Sequence, residues 1–311
     1  MTHALLPPQM HVLVRDWLSA NNVLLKSPDG HVMIDSGYDK HAALTLSLVA
    51  SDHGLRGEPV AKLVNTHCHS DHVGGNAAVQ RAYGCPIEVP EGEAPLIEAW
   101  DTTSLLYDYA DQSAERFRID GTLDAGSTHI WGDLEWQVLA APGHDMRAVV
   151  FYNPEHRILI SGDALWENGF GFVMPRAIDP EALPATRATL DLLATLDCRV
   201  VIPGHGDVFT GVDAALERAY RRTAAFEVDD ARVARHALKV VLMFSLLDKQ
   251  RMSIADLPSY VERVGIYRDL NARCLHMKHQ NLAEMIVREL ECAGAVEFRD
   301  GYVVPRRRML A

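Results

Sequence analysis

The sequence predicts a mixed α/β protein with antiparallel or mixed sheets covered by helices, followed by a small helical, winged-helix-like unit. Three observations carry this reading. Short β-type runs come in adjacent pairs separated by turn residues. Segments with helical spacing are inserted between them. From about Arg232 the pattern changes to three helices and a hairpin.

The elements follow in order. Met10–Leu18, Asn22–Lys26 and Val32–Asp35 are short β-type runs, divided by Ala20-Asn21 and by Ser27-Pro28-Asp29-Gly30, which are turn chemistry. His41–Gly54 has helical spacing, with Leu44, Leu48 and Val49 as its apolar positions. Ala61–Asn65 is a buried strand, the segment from about Asn76 to Tyr83 a helix, and Pro86–Val89 a strand. Glu91–Phe117 is mostly helical in pattern. Strands are expected at Thr128–Trp131, Leu134–Ala140, Ala148–Tyr152 and Ile158–Ser161. Pro180–Leu196 reads as a helix, Arg199–Ile202 as a strand, and a long helix begins near Val212.

Ala234–Leu247, Ser253–Val264 and Asn271–Ala293 are the three later helices, the last closed by Gly294. Ala295–Phe298 and Tyr302–Val304 flank Asp300-Gly301, a type I′ turn signal. The division expected is residues 1–230 for a catalytic domain and 231–311 for the winged-helix-like one.

The chain has 311 residues, of which 48% are hydrophobic and 23% charged, a composition that excludes disorder and a disulfide-built mini-protein. No apolar run reaches the length of a membrane span. The opening Met1–Pro8 has no basic region leading into an apolar stretch, so it does not read as a signal peptide. Cys68, Cys85, Cys198, Cys274 and Cys292 are odd in number and widely spaced, without a Cys-x-x-Cys pair. Free thiols in a reducing, cytoplasmic setting are expected.

Charge divides the chain. The net −12 splits into −17 for the first 231 residues and +5 from Arg232 onward, where 14 basic residues meet 9 acidic. The acidic part argues against broad nucleic-acid adhesion. The third C-terminal helix mixes Arg273, Lys278 and Arg288 with Glu284, Glu289 and Glu291, a weak signal for nucleic acid. A pocket wall or a homodimer contact is the stronger expectation for that unit.

The chemistry concentrates in Thr66-His67-Cys68-His69-Ser70-Asp71-His72, at the end of an apolar strand. His67 and His69 are two apart and share a side of an extended segment. Asp71 and His72 follow where the chain turns toward a helix. His144, Asp163 and His205 each follow an apolar strand, each with a glycine beside it. Imidazole and carboxylate are ligands that zinc, iron and manganese accept, and five histidines with two aspartates suit two metals sharing a carboxylate. Cys68, between two such histidines, is expected in the core. His31, His41, His53, His129 and His156 lie outside the motifs and read as surface or turn residues.

In the order of these motifs, with Asp35-Ser36-Gly37 upstream, the chain resembles the metallo-β-lactamase superfamily of metal-dependent hydrolases over roughly residues 10–210. The resemblance implies an αββα sandwich with two divalent metal ions at one edge, zinc first among the expected ions. By motif position His67, His69 and His144 would hold one ion and Asp71, His72 and His205 the other. Asp163 would bridge them. Asp71 would also serve catalysis, accepting a proton from the nucleophile or orienting it, and Asp35 would orient a ligand histidine. A metal-activated hydroxide would attack a small acyl thioester or ester, as in the glyoxalase II branch.

Two other readings stay open: a lactamase-like phosphodiesterase or endoribonuclease, and a regulatory metal protein or iron-dependent oxygenase. The pocket decides among substrates. Trp166 and Phe170, in the Ala164–Phe172 loop, and Trp100 and Tyr107 are the candidate apolar walls. Arg147 and Arg176 are candidates for an anionic substrate group.

Overall fold

The structure, a computed structural model, describes residues 5–306, so Met1–Ala4 of the opening segment lie outside the described residues. One sheet has the order β1 (Met10–Leu13), β2 (Asn22–Leu25), β3 (His31–Ile34), β4 (Val60–Val64), β5 (Ile87–Pro90) and β6 (Gly121–Leu123). Its first three strands pair antiparallel and the others parallel. The second contains β7 (Thr128–Trp131), β8 (Leu134–Ala140), β9 (Val149–Asn153), β10 (Ile158–Gly162) and β11 (Val200–Pro203), ordered β11-β10-β9-β8-β7.

Alternation along the strands makes the layers. Val23 and Leu25 join Val32, Ile34 and Val64 in a core that also holds Val149, Phe151, Ile158, Ile160, Val200 and Ile202 of the second sheet. The residues between them face outward. Leu24, Met33 and Leu63 pack under α1 (Ala42–Ala50), α2 (Ser70–Val73), α3 (Asn76–Tyr83), α4 (Ala94–Ala99) and α5 (Tyr107–Ala110). Val150, Leu159 and Val201 pack under α6 (Ala182–Ala194) and α7 (Val212–Glu227). Four layers result, α-β-β-α.

The C-terminal unit is built from α8 (Asp230–Lys249), β12 (Met252–Ser253), α9 (Leu257–Arg263), α10 (Gly265–Leu270), α11 (His279–Cys292), β13 (Val296–Arg299) and β14 (Tyr302–Pro305). Asp229 caps α8 by accepting from the Arg232 amide at 3.0 Å. The hairpin turns on Asp300 (φ 50°) and Gly301 (φ 79°), the two positive values a type I′ turn needs. With β12 beside β14 it forms a three-stranded wing.

Several expectations change. Glu91–Phe117 is not one long helical stretch: α4 stops at Trp100 (φ 55°), and α5 lies between Leu106 (φ 65°) and Asp111 (φ 55°), where left-handed backbone ends each turn. Asn271–Ala293 is likewise interrupted, because His276 (φ 55°) breaks the chain after the Asn271–Leu275 π-turn and α11 starts at His279. β6 and α10 carried no signal in the sequence pattern. Leu44 is exposed, so only Val49 of the expected α1 stripe is fully buried. His31 is not a surface residue: it is buried on β3 and paired with Glu58.

Candidate metal centre

Five loops meet at one edge of the sandwich, after β3, β4, β8, β10 and β11. Backbone hydrogen bonds sew them together across the two sheets. The Val149 amide donates to the Thr66 carbonyl at 2.9 Å, Gly204 to Gly162 at 2.7 Å, and Asn21 to Gly204 at 2.7 Å. Close approach then dictates glycine at two places. A Cβ on Gly204 would lie 2.3 Å from Asp163 Oδ1, and one on Gly171 would lie 2.6 Å from His144 Cγ.

Two groups of donor atoms result. His67, His69 and His144 form one, and Asp71, His72, Asp163 and His205 the other; within each, the ligand atoms all lie within 4.8 Å of one another. Asp163 faces both groups. Its Oδ2 is 3.4 Å from His144 Nε2, and its Oδ1 is 3.5 Å from His72 Nε2.

Three of the histidines have a polar group behind them. His72 Nδ1 lies 2.8 Å from Asp35 Oδ2, and that carboxylate also accepts from the Thr66 hydroxyl at 2.8 Å and the Thr66 amide at 3.0 Å. His144 Nδ1 donates to the Phe172 carbonyl at 2.5 Å, which leaves Nε2 as the lone pair facing the site. His69 Nε2 lies 3.6 Å from Asp145 Oδ2, and His69 Nδ1 stands 2.9 Å from His144 Nε2. Asp145 also accepts from the Arg147 amide at 2.7 Å. Tyr107 supports the same segment by donating to the Cys68 carbonyl at 2.8 Å.

The electrostatics follow from burial without a cation. Burial and the neighbouring imidazoles hold His67 well below the ordinary range, and burial with His144 brings His69 down to about 4. Burial opposes charge on His72 as well, but Asp35, Asp163 and Asp71 outweigh it and raise this group well above its ordinary value. Burial would raise Asp163, yet His205 and His72 outweigh it and hold the carboxyl well below the usual range. The residues fit divalent cations on one direct observation: His67 Nε2 and His72 Nε2 are buried and have no hydrogen-bond partner.

The cavity beside these groups encloses about 180 Å³. Trp17, Leu106, Gln112, Trp166 and Phe172 line it, together with Val240, Val241, Met243, Phe244 and Leu247 of α8. Trp17, 52% exposed, stacks on His205 with ring centroids 5.4 Å apart. Trp166 donates from Nε1 to Asp163 Oδ1 at 3.1 Å. A larger groove of about 820 Å³ runs between α9, α11 and Phe298, and holds none of the grouped donors.

Of the expected walls, Trp166 lines the cavity and the others do not. Phe170 is buried against Phe226, with the Arg222 guanidinium over its ring. Trp100 and Tyr107 pack with each other in the core outside the first sheet. Arg147 lies against Gly92, and Arg176 is paired with Asp230 at 3.0 Å. Cys68 is buried in the same core as Trp100, as expected, and all five cysteines are free thiols. Sequence reasoning missed Trp17, Phe172, Gln112 and the α8 residues.

Comparison with known proteins adds the following. The family model described as the metallo-beta-lactamase superfamily matches residues 15–205. Hydroxyacylglutathione hydrolase of Brucella anthropi is 28% identical over 181 residues, which are 56% of this chain and 58% of that protein. The Brucella ovis enzyme of the same name is 26% identical over 181 residues, 56% of this chain and 59% of its own length. The chain thus spans under two thirds of the length of these curated relatives. Metallo-beta-lactamase family protein TTHA1429 from Thermus thermophilus shares the fold at TM-score 0.58 and 21% identity, covering 97% of this chain and 99% of that one. TTHA1623, solved in a di-iron-bound form, gives TM-score 0.52 at 26% identity over 67% of this chain and 98% of that one.

Proposed function

Because the chain belongs to the metallo-beta-lactamase superfamily, we propose that it is a dinuclear metal hydrolase acting on a small acyl thioester or ester. The observation that carries this reading is the pair of donor groups with an Asp163 oxygen turned toward each. His67, His69 and His144 would hold one ion, Asp71, His72 and His205 the second, and Asp163 would serve both. When bound, two divalent ions supply a water of lowered pKa and an electrophilic clamp for the attacked carbonyl oxygen. The donor set suits zinc first, and it also accepts iron and manganese.

The side chains do the rest. Asp71 lines the cavity, with Oδ2 2.9 Å from His205 Nε2; it would accept the proton shed as water adds to the acyl carbon and return it to the sulfur or oxygen that departs when the C–S or C–O bond breaks. Asp35 holds His72 in the tautomer that points Nε2 inward. Trp17, Phe172 and the α8 side chains exclude water from the acyl group. The name of the Brucella relatives supports a thioester. The C-terminal unit does not favour RNA, since Arg288 is paired with Glu284 at 2.5 Å and Lys239 with Glu289 at 2.8 Å.

The test is metal content by mass spectrometry on protein purified without added metal, paired with initial rates on an acyl thioester, a p-nitrophenyl ester, a phosphodiester and a short RNA. Two divalent ions per chain with thioester or ester turnover is the expected result. Cleavage of the phosphodiester or RNA alone would replace the substrate class. One iron per chain with no hydrolysis would overturn the reaction class.

A further inference from the structure

We propose that the substrate carries a neutral, apolar tail laid along α8, so that the C-terminal unit selects the substrate. For the reaction at the other end of that substrate this rests on the hydrolase reading; for the tail it rests on the cavity alone.

The stripe Val240, Met243, Phe244 and Leu247 has the spacing of one helix face, and all four side chains line the cavity. Ala234, Ala237, Leu238, Leu242 and Leu246 are fully buried in the core of the C-terminal unit. Val240, Met243, Phe244 and Leu247 are only half-buried; Val240 and Met243 pack against the margin of that core, and all four also face the cavity. Helix α8 is therefore apolar on two sides, and the second side is turned to the site with Trp17, Trp166 and Phe172.

Charge points the same way. The described lining contains no lysine or arginine. Lys249 at the end of α8 is paired with Asp111 at 2.9 Å, Lys40 with Asp248 at 2.6 Å, and Arg176 with Asp230 at 3.0 Å. An ionised tail entering here would lose hydration without a lysine or arginine in the lining to replace it. A peptide-like thiol with two carboxylates, such as glutathione, is a poor fit, and an aliphatic or aromatic tail a good one.

Calorimetric titration of the full-length, metal-loaded chain with 2-alkanones from 2-pentanone to 2-nonanone tests this without turnover. The Kd is expected to tighten about fourfold per added methylene, the equivalent of about 0.8 kcal/mol. Phe244→Ala should flatten that slope. Because Phe244 also meets Tyr38 edge-on at 5.1 Å, Met243→Gln is the second variant and should flatten it as well. A Kd independent of chain length, or S-hexylglutathione binding more tightly than the neutral ketone of equal alkyl length, would overturn the proposal. Initial rates on p-nitrophenyl acetate through octanoate separate it from the hydrolase reading. Chain-length-dependent binding with no turnover of esters or thioesters would count against the reaction and leave the tail site standing. Turnover and binding both indifferent to chain length would do the reverse.

Discussion

Asp35 grips His72 by its Nδ1 at 2.8 Å and also accepts from the amide and hydroxyl of Thr66 and from Asn65 Nδ2 at 3.3 Å. One carboxylate thus fixes a histidine and the residue that opens the His67–His72 segment. Asp35 itself sits at φ 55°, a conformation asparagine also tolerates. Asp35→Asn is expected to preserve the fold and weaken metal binding by about 10–100-fold. Competition with a chromophoric chelator measures this, and an unchanged affinity would reduce Asp35 to a turn residue.

Asp163 stands between the two donor groups with an oxygen turned to each. Asp163→Ala should release at least one ion per chain and abolish hydrolysis together. Metal analysis and initial rates on the same sample decide the matter. Full activity with normal metal content would sink the site assignment.

Gly204 has no room for a side chain, since its Cβ would stand 2.3 Å from Asp163 Oδ1 and 2.9 Å from His72 Cε1. Gly204→Ala should cost about 1–3 kcal/mol, as overpacking does elsewhere. It should also lower metal content by pushing Asp163 aside. The urea midpoint and metal analysis read the two effects, and neither should survive unchanged.

Much of this centre was legible because its chemistry is local to strand ends. His67–His72 is contiguous, and His144, Asp163 and His205 each follow an apolar run. The pocket was not legible for the opposite reason. Phe170 and Phe172 sit two apart in one glycine-rich loop, yet Phe170 turns to Phe226 and Phe172 to the cavity, a choice made by tertiary neighbours. Val240–Phe244 is an unbroken apolar run, so periodicity cannot say which flank meets the C-terminal core and which meets a loop over 100 positions earlier. Arg176 looked unpaired only because its partner Asp230 is remote in sequence.

His236 gives a pH prediction away from the metals. Burial, with Arg222 and Lys239 nearby, pushes it down to about 4. The unfolded group titrates near 6.5, so between these values the unfolded chain binds more protons and stability rises with pH. The contribution is complete above about pH 6.5 and is lost as pH falls toward 4, amounting to about 3 kcal/mol. Urea unfolding of the parent and His236→Leu at pH 7 and 4.5 should show a clearly smaller acid loss in the variant. Equal losses would refute it.

Each donor group draws on both sheets. His67, His69, Asp71 and His72 hang from the first, and His144, Asp163 and His205 from the second. Cations bound there act as rivets between two halves of the sandwich, and their binding energy becomes adhesion between the sheets. At a free concentration of 1,000 times Kd that adhesion reaches about 4 kcal/mol per ion. Cobalt offered during refolding would therefore colour the protein only once the sheets have closed on each other, turning an absorption band into a clock for the last long-range step of folding.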